Sequence, residues 1–305
     1  MAVSIENWST VFDQSPSPSP VELPFRVLWT DEDGLSLKQC GTGKAIEYQL
    51  LFWDEAASAI NPEQKTIRMI PLSADTTPVT LEHLLYDQVY PRLLAHEGRL
   101  VLHAGAVEIS GKLALFLGDS GMGKSTLVAS LYQAGAPLLN DDTLVVSQDA
   151  SGFSGQAIYH GLRLLPDSLA SLFPGATETR QMAHYSPKQR LNVAVPNSQE
   201  TAPQPIGAMF FLAPATDEQT ITLRPMSAAE TCMGLISNSF SLDPTDLLLA
   251  RKKLQQASAL ANGVAAFELS YPRDYTALPH VHATIRTQMK EYSASFPTSQ
   301  QEETP

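Results

Sequence analysis

The stretch Lys112–Thr126, KLALFLGDSGMGKST, runs an apolar segment straight into a glycine-rich loop. The apolar part predicts a strand, and the loop carries the spacing Gly118-x-x-x-x-Gly123-Lys124-Ser125. Glycines so placed let successive backbone N–H groups turn inward around a phosphate. The lysine ammonium can reach β/γ oxygens, and the following hydroxyl can be offered to a magnesium ion. The expected nucleotide-binding residues are therefore Gly118, Asp119, Ser120, Gly121, Met122, Gly123, Lys124, Ser125 and Thr126, with Ser125 also serving the metal. Ser125 to Gln133 predicts a helix whose positive end faces the same anion. The motif points to a nucleoside triphosphate.

With 305 residues and 43% hydrophobic content, the chain can bury one large core or two smaller ones. A formal charge of −12 argues against nucleic acid as a partner. Cys40 and Cys232 lie far apart without metal-ligand spacing, so no disulfide framework is expected. MAVSIENWST lacks a basic region followed by an apolar core, and no run approaches the length of a membrane span. The expectation is a soluble, cytoplasmic protein with no membrane partner.

Residues 1–24, with their SPSPSP run, read as a flexible tail, and 293–305 as a second one. Residues 25–97 read as a small N-terminal β/α region. Its short alternating runs FRVLW and AIEYQLLFW are broken by turn-forming residues, among them Gly41–Lys44, a hairpin turn. Thr80 to Ala95 places Leu81, Leu84, Leu85, Val89 and Leu93 at helical spacing, with Thr80 as cap and Pro91 as a stop or kink. Residues 98–292 read as the nucleotide-binding domain. There LVLHAGAVEI and KLALFL are joined by the two-residue turn Ser110-Gly111, and PLLN, TLVVS, LNVAV and AMFFL supply further strands. A helix is expected from Asp243-Pro244 to about Leu260. The pattern is α/β with a mixed sheet, not strict βα alternation.

Phosphoryl transfer also needs a held metal and a group that orients or deprotonates the acceptor. Asp141 and Asp142 follow an apolar run about fifteen residues past the loop. Adjacent side chains at a strand end point to opposite sides, so one acid could meet the metal while the other faces an acceptor. His280 and His282 lack a partner at ligand spacing and are not expected to hold a metal.

His103-Ala104-Gly105, GDSGMGKST at 118–126 and NDD at 140–142 resemble the catalytic domain of bacterial HPr kinase/phosphorylase. The chain is more similar still to the shorter HPr-kinase-related proteins, some of which modify lasso peptides. LRLLPDS at Leu162–Ser168, Lys188 with Arg190, and Tyr271 to Asp274 extend the resemblance. The resemblance implies a phosphoenolpyruvate-carboxykinase-like P-loop core and a serine kinase that uses ATP and Mg2+. It implies Asp142 as the acceptor base, Asp141 and Ser125 on the metal, His103 beside the base, and Arg190 on the transferred phosphate. The family's hexameric members raise a homo-oligomer as an expectation.

The chain departs from the family pattern at two places. Where the family signature carries a glutamate the chain has Ile158, which cannot ligate a metal, and Arg163 places a cation nearby. The glycine-rich loop associated with phosphorylase activity is replaced by PQPIGAMFFL. The expectation is kinase chemistry on a serine of a peptide or small protein other than HPr. A small-metabolite kinase and a non-catalytic ATP-binding module stay open as alternatives.

Overall fold

A computed structural model describes residues 8–14, 25–30, 35–40, 46–159, 161–176, 179–191, 193, 202–214 and 220–295. Among these residues the chain is a mixed α/β fold with three sheets. The first sheet contains β1 (Ser9–Phe12), β2 (Phe25–Thr30), β3 (Ser36–Cys40), β4 (Glu47–Phe52), β5 (Ala56–Asn61) and β6 (Thr66–Pro71). Its order is β1-β6-β5-β4-β3-β2, antiparallel except where β1 runs parallel to β6. The expected tail over residues 1–24 is corrected for residues 8–14, the others lying outside the described residues. Ser9 N donates to Lys65 O, Asp13 N donates to Met69 O, and Asp13 pairs with Arg68 at 2.8 Å, so this segment completes a sheet edge. The SPSPSP run and the expected turn Gly41–Lys44 lie outside the described residues, as does most of the expected tail from residue 293.

One helical rod crosses this sheet. It is composed of α1 (Pro78–Leu84), a π turn (Leu85–Val89) and α2 (Tyr90–His96). The cap is Thr77 rather than Thr80: the Thr77 hydroxyl accepts from Thr80 N, and Pro78 takes the first helical position, where its missing N–H is not needed. Pro91 does not end the helix. The chain widens just before it, with Tyr90 N–H donating to Leu85 O five residues back, and Pro91 then falls in the first turn of α2. Leu81, Leu84, Leu85, Val89 and Leu93 all stay on the buried face, against Leu50, Phe52, Ile60, Ile67 and Met69.

The large sheet is built on both sides of the apolar run that precedes the glycine-rich loop. Its strands are β7 (Leu100–His103), β8 (Gly105–Ile109), β9 (Lys112–Leu117), β10 (Leu138–Asn140), β11 (Thr143–Asp149) and β12 (Gly152–Ala157). Later come β16 (Gln204–Leu212), β17 (Thr222–Pro225) and β18 (Ala265–Ser270). The order is β10-β8-β9-β16-β12-β11-β7, and β16 also pairs with β18, which pairs with β17. β9 and β18 run parallel to β16, while β8 meets β9 as a hairpin through Ser110 and Gly111, both at positive φ. A third, small sheet holds β13 (Leu162–Leu164), β14 (Thr179–Gln181) and β15 (Gln189–Leu191), in the order β13-β15-β14. The expected LNVAV strand is described only as far as Leu191, because Asn192 and residues 194–195 lie outside the described residues.

The helices follow from what these strands bury. α3 (Lys124–Gln133), α4 (Pro166–Leu172) and α7 (Leu278–Ser295) lie on one face; α5 (Ala228–Ser237) and α6 (Leu247–Gly263) lie on the other. Ala114 and Phe116 of β9 face α3 and α7, while Leu113, Leu115 and Leu117 face α5 and α6. Burial on both sides is why this strand reads as an unbroken apolar run rather than an alternating one. The α6 start expected at Asp243-Pro244 is corrected. Asp246 caps the helix by accepting from Leu248 N and Leu249 N, whereas Asp243 closes the preceding turn onto Thr245.

Phe116, Phe210 and Phe267 stack from β9 to β16 to β18, with ring centroids 5.6 and 5.8 Å apart. Phe210 is fully buried between the other two. Phe210→Ala is therefore expected to lower the unfolding free energy by about 3–5 kcal/mol in a denaturant titration. A loss below about 1 kcal/mol would show that the site collapses around the missing ring.

Candidate functional site

Two chain segments cross side by side where the large sheet changes direction. His103–Gly105 links β7 to β8, and Asn140–Thr143 links β10 to β11. Ala104 N donates to Asp142 O at 2.7 Å, and the buried Asn140 side chain donates to Ala104 O at 3.0 Å. Gly105 is required by this crossing, since a Cβ there would come within 2.7 Å of Val128 in α3. These contacts set His103 Nε2 3.2 Å from Asp142 Oδ1.

The glycine-rich loop leaves β9 at Gly118 and enters α3 at Gly123. Gly121 and Gly123 have φ of +82° and +85°, a left-handed conformation that costs glycine nothing. Gly123 is the cap residue of α3, and no side chain caps the helix there. The buried Lys124 ammonium donates to Gly118 O at 2.5 Å and Asp119 O at 3.0 Å, which curls the loop around it. A cleft of about 480 Å³ lies over the loop and the first turn of α3. Its lining includes the polar Lys124, Ser125, Asp142 and His103 together with Leu164, Leu165, Tyr275 and Leu278. Arg273 and Tyr271 pack beside Gly123, so the expected Tyr271–Asp274 motif closes over the loop. Thr126 and Tyr275 both bond the Ser168 hydroxyl, at 3.0 and 3.1 Å.

Beneath the cleft, Arg163 of β13 is shared by three carboxylates. It meets Asp87 from the π turn, Asp141 at 3.3 Å and Asp142 at 2.9 Å, and its backbone N–H donates to Asp141 Oδ2 at 2.7 Å. His83 adds a second partner to Asp87 at 2.7 Å. Burial pushes the Asp141 carboxyl up to about 6 despite Arg163. Burial acts on Asp142 in the same direction, but Arg163, His103, Lys188 and Lys124 together hold it below the ordinary carboxylate range. Burial also pushes the His103 imidazole down against the pull of Asp142, and pushes the Lys124 ammonium down. The site thus presents an ionised Asp142 beside a neutral His103 near neutral pH.

Asp141 and Asp142 do not diverge to opposite sides as expected of neighbours leaving a strand: both carboxylates reach the same Arg163 Nη2, at 3.3 and 2.9 Å, and of the two only Asp142 also lines the cleft. The expected role of Asp141 on a metal is corrected with it: both its oxygens face Arg163 and it does not line the cleft. Arg190 is corrected too. It sits in β15 opposite Arg163 with its guanidinium 5.9 Å from the Tyr159 ring, while Lys188, just before the strand, reaches the cleft. Met122 packs against the core below the loop, and Gly118 and Asp119 face a second cleft. Asp87, Asn140 and Asn238 carry no role that the sequence alone reveals. Asn140 stands inside the NDD motif, whereas nothing local marks Asp87 or Asn238. His282 is bonded to Ser130 at 2.8 Å, and no group of three metal-ligating side chains occurs among the described residues. No described helix is long and apolar enough to cross a membrane.

No family model matches the chain, and no curated protein matches it. Among solved structures, the Hpr(Ser) kinase/phosphatase from Coxiella burnetii is a distant structural relative. It shares 12% identity at a TM-score of 0.33, over 63% of this chain and 98% of that one. So low a score leaves the site to be read from its own geometry.

Removing Arg163 would strand two buried carboxylates, Asp87 and Asp141, and the half-buried Asp142. Arg163→Ala is expected to cost about 3–5 kcal/mol of stability in chemical denaturation. Arg163→Lys should recover only part of it, because a point charge cannot present the planar fork to several acids at once. Full recovery by lysine would mean that charge alone, not geometry, holds the cluster.

Proposed function

We propose that this chain is an ATP- and magnesium-dependent kinase that transfers the γ-phosphoryl group to a serine hydroxyl of a peptide or small protein. The observation that carries this reading is the convergence of Lys124, Ser125 and the Asp142 carboxylate on one cleft, with His103 3.2 Å from that carboxylate. The triphosphate lies along the loop and the first turn of α3, where inward N–H groups and the helix end favour an anion. The apolar side chains of the cleft, Leu164, Leu165 and Leu278, take the nucleoside.

The donor chemistry fits magnesium through Ser125, whose hydroxyl offers a hard oxygen in the cleft, with phosphate and water oxygens to complete the shell. Bound there, the ion would neutralise charge building on the β- and γ-phosphates. The remaining work falls to the chain. Lys124 fixes the phosphates, and Asp142 orients the serine hydroxyl and accepts its proton. The serine oxygen bonds to the γ-phosphorus as the bond to the β,γ-bridging oxygen breaks, and ADP leaves with that oxygen. A carboxylate held below its usual range is a weak base, but a loose transition state asks for positioning more than basicity. The inward turn of Asp141 favours a second reading, a module that binds ATP without transferring phosphate, because it leaves the metal few protein oxygens.

Two variants test this. Lys124→Ala is expected to weaken MgATP binding, measured by nucleotide titration. Asp142→Asn should leave ATP affinity within about threefold and reduce phosphate transfer by about 100-fold or more. Wild-type turnover by Asp142→Asn would remove Asp142 from the mechanism, and ATP binding with no transfer by the natural chain would favour the second reading.

A further inference from the structure

A second cleft, of about 460 Å³, lies on the far side of His103 and Ser120, which line both clefts. Its floor is Gly118 and Asp119, and its wall is the segment from Ser237 to Pro244 that follows α5. The wall is fixed through its backbone. His103 N donates to Asn238 O at 2.7 Å, Phe240 N donates to Val101 O at 2.9 Å, and Ser239 bridges antiparallel to Leu102. The Asn238 side chain accepts from Gly118 N at 3.1 Å and donates to Gly234 O at 2.9 Å. One residue therefore holds the start of the loop and the strand end that carries His103.

The lining is chemically plain. Ser237, Ser239, Ser241 and Asn238 supply hydroxyl and amide groups, Asp119 adds one carboxylate at the floor, and the Phe240 ring lies 6.1 Å from that of His103. Arg92 stacks over Phe240 at 5.4 Å and donates twice to Gln88, which makes it part of the wall. A compact anionic metabolite would be held by converging cations. Hydroxyls, an amide and one ring instead match the backbone groups of an extended chain and one apolar side chain.

We infer that this second cleft seats the phosphoryl acceptor as an extended peptide segment, whose serine reaches Asp142 past His103. The inference rests on the proposed kinase reading and deepens it. In-line transfer places acceptor and leaving oxygen on opposite sides of the phosphorus. The second cleft meets the nucleotide cleft at His103 and Ser120, so an acceptor seated there would approach from outside the nucleotide cleft. Asn238 acts as a positioning residue, through Gly118 and His103.

The test uses the full chain, MgATP and a library of serine-centred peptides read by mass spectrometry. Ser241→Trp and Ser237→Trp each fill the cleft from a different point, and Ser237 is exposed, so at least one should fold normally. The expected result is a rise in peptide KM of about tenfold or more, with MgATP affinity within about threefold of the natural chain. Unchanged peptide phosphorylation in both variants would overturn the acceptor cleft. So would a natural chain that binds MgATP yet phosphorylates no peptide, or only a free small hydroxy compound. Failure of the natural chain to bind MgATP at all would instead sink the kinase reading, and the same titration reports it.

Discussion

The guanidinium of Arg163 is the point through which the rest of this molecule is tied. It draws Asp87 from the N-terminal helical rod, Asp141 and Asp142 from the crossing between β10 and β11, and its own strand β13 into one buried cluster. One cation cannot neutralise three carboxylates, and the cluster responds unevenly. Asp141, fully enclosed, is pushed up to about 6, while Asp142, at the cleft wall with Lys124, Lys188 and His103 around it, is held low. Buried ions of this kind are costly and contribute specificity of geometry more than net stability. Here that geometry decides which of two adjacent acids faces the cleft.

The same cluster explains why the N-terminal region cannot be treated as an appendage. The π turn that lets the rod pass Pro91 is also what carries Asp87, and wide turns of this kind recur at functional sites. The far side of the rod packs on the first sheet, whose cluster also takes in Leu242 from the wall of the second cleft. Tyr48 of β4 donates to Asp243 in that same wall. Residues that seemed separable at position 97 therefore brace both clefts from behind.

Much of this was legible in the amino-acid order. The loop and helix at 118–133, the Ser110-Gly111 hairpin and the mixed sheet all follow from local rules of spacing and alternation. The failures share a cause. Asp87 and Arg163 are 76 positions apart, and no periodicity reports that contact. The placement of Arg190 was not legible: it lies within a strand with its guanidinium near Tyr159 and outside the cleft lining, while Lys188, one residue before the strand, lines the cleft. Residues Ser9–Phe12 looked like tail because an edge strand needs only backbone partners, and its burial pattern is mostly exposed.

Charge distribution makes the cleft's chemistry more specific than its shape does. The chain carries 32 acidic residues against 20 Lys and Arg, yet Lys124, Arg163, Lys188 and Arg273 gather at the cleft with three aspartates. Arg163 is already committed to its buried acids, so it has little left for a ligand. On the proposed reading, neutralising a triphosphate falls to Lys124 within the loop, Lys188 near Asp142 and Arg273 beside Gly123. Arg273 is itself partly engaged, donating to Ala213 O at 2.6 Å and lying 3.9 Å over the Tyr271 ring. Lys188 is then the cation best placed to follow charge as it moves toward the acceptor, because it stands nearest the electrostatics of Asp142 without being spent on the buried cluster. A net charge of −12 repels an anion at long range, so its capture depends on the few cations that face the cleft.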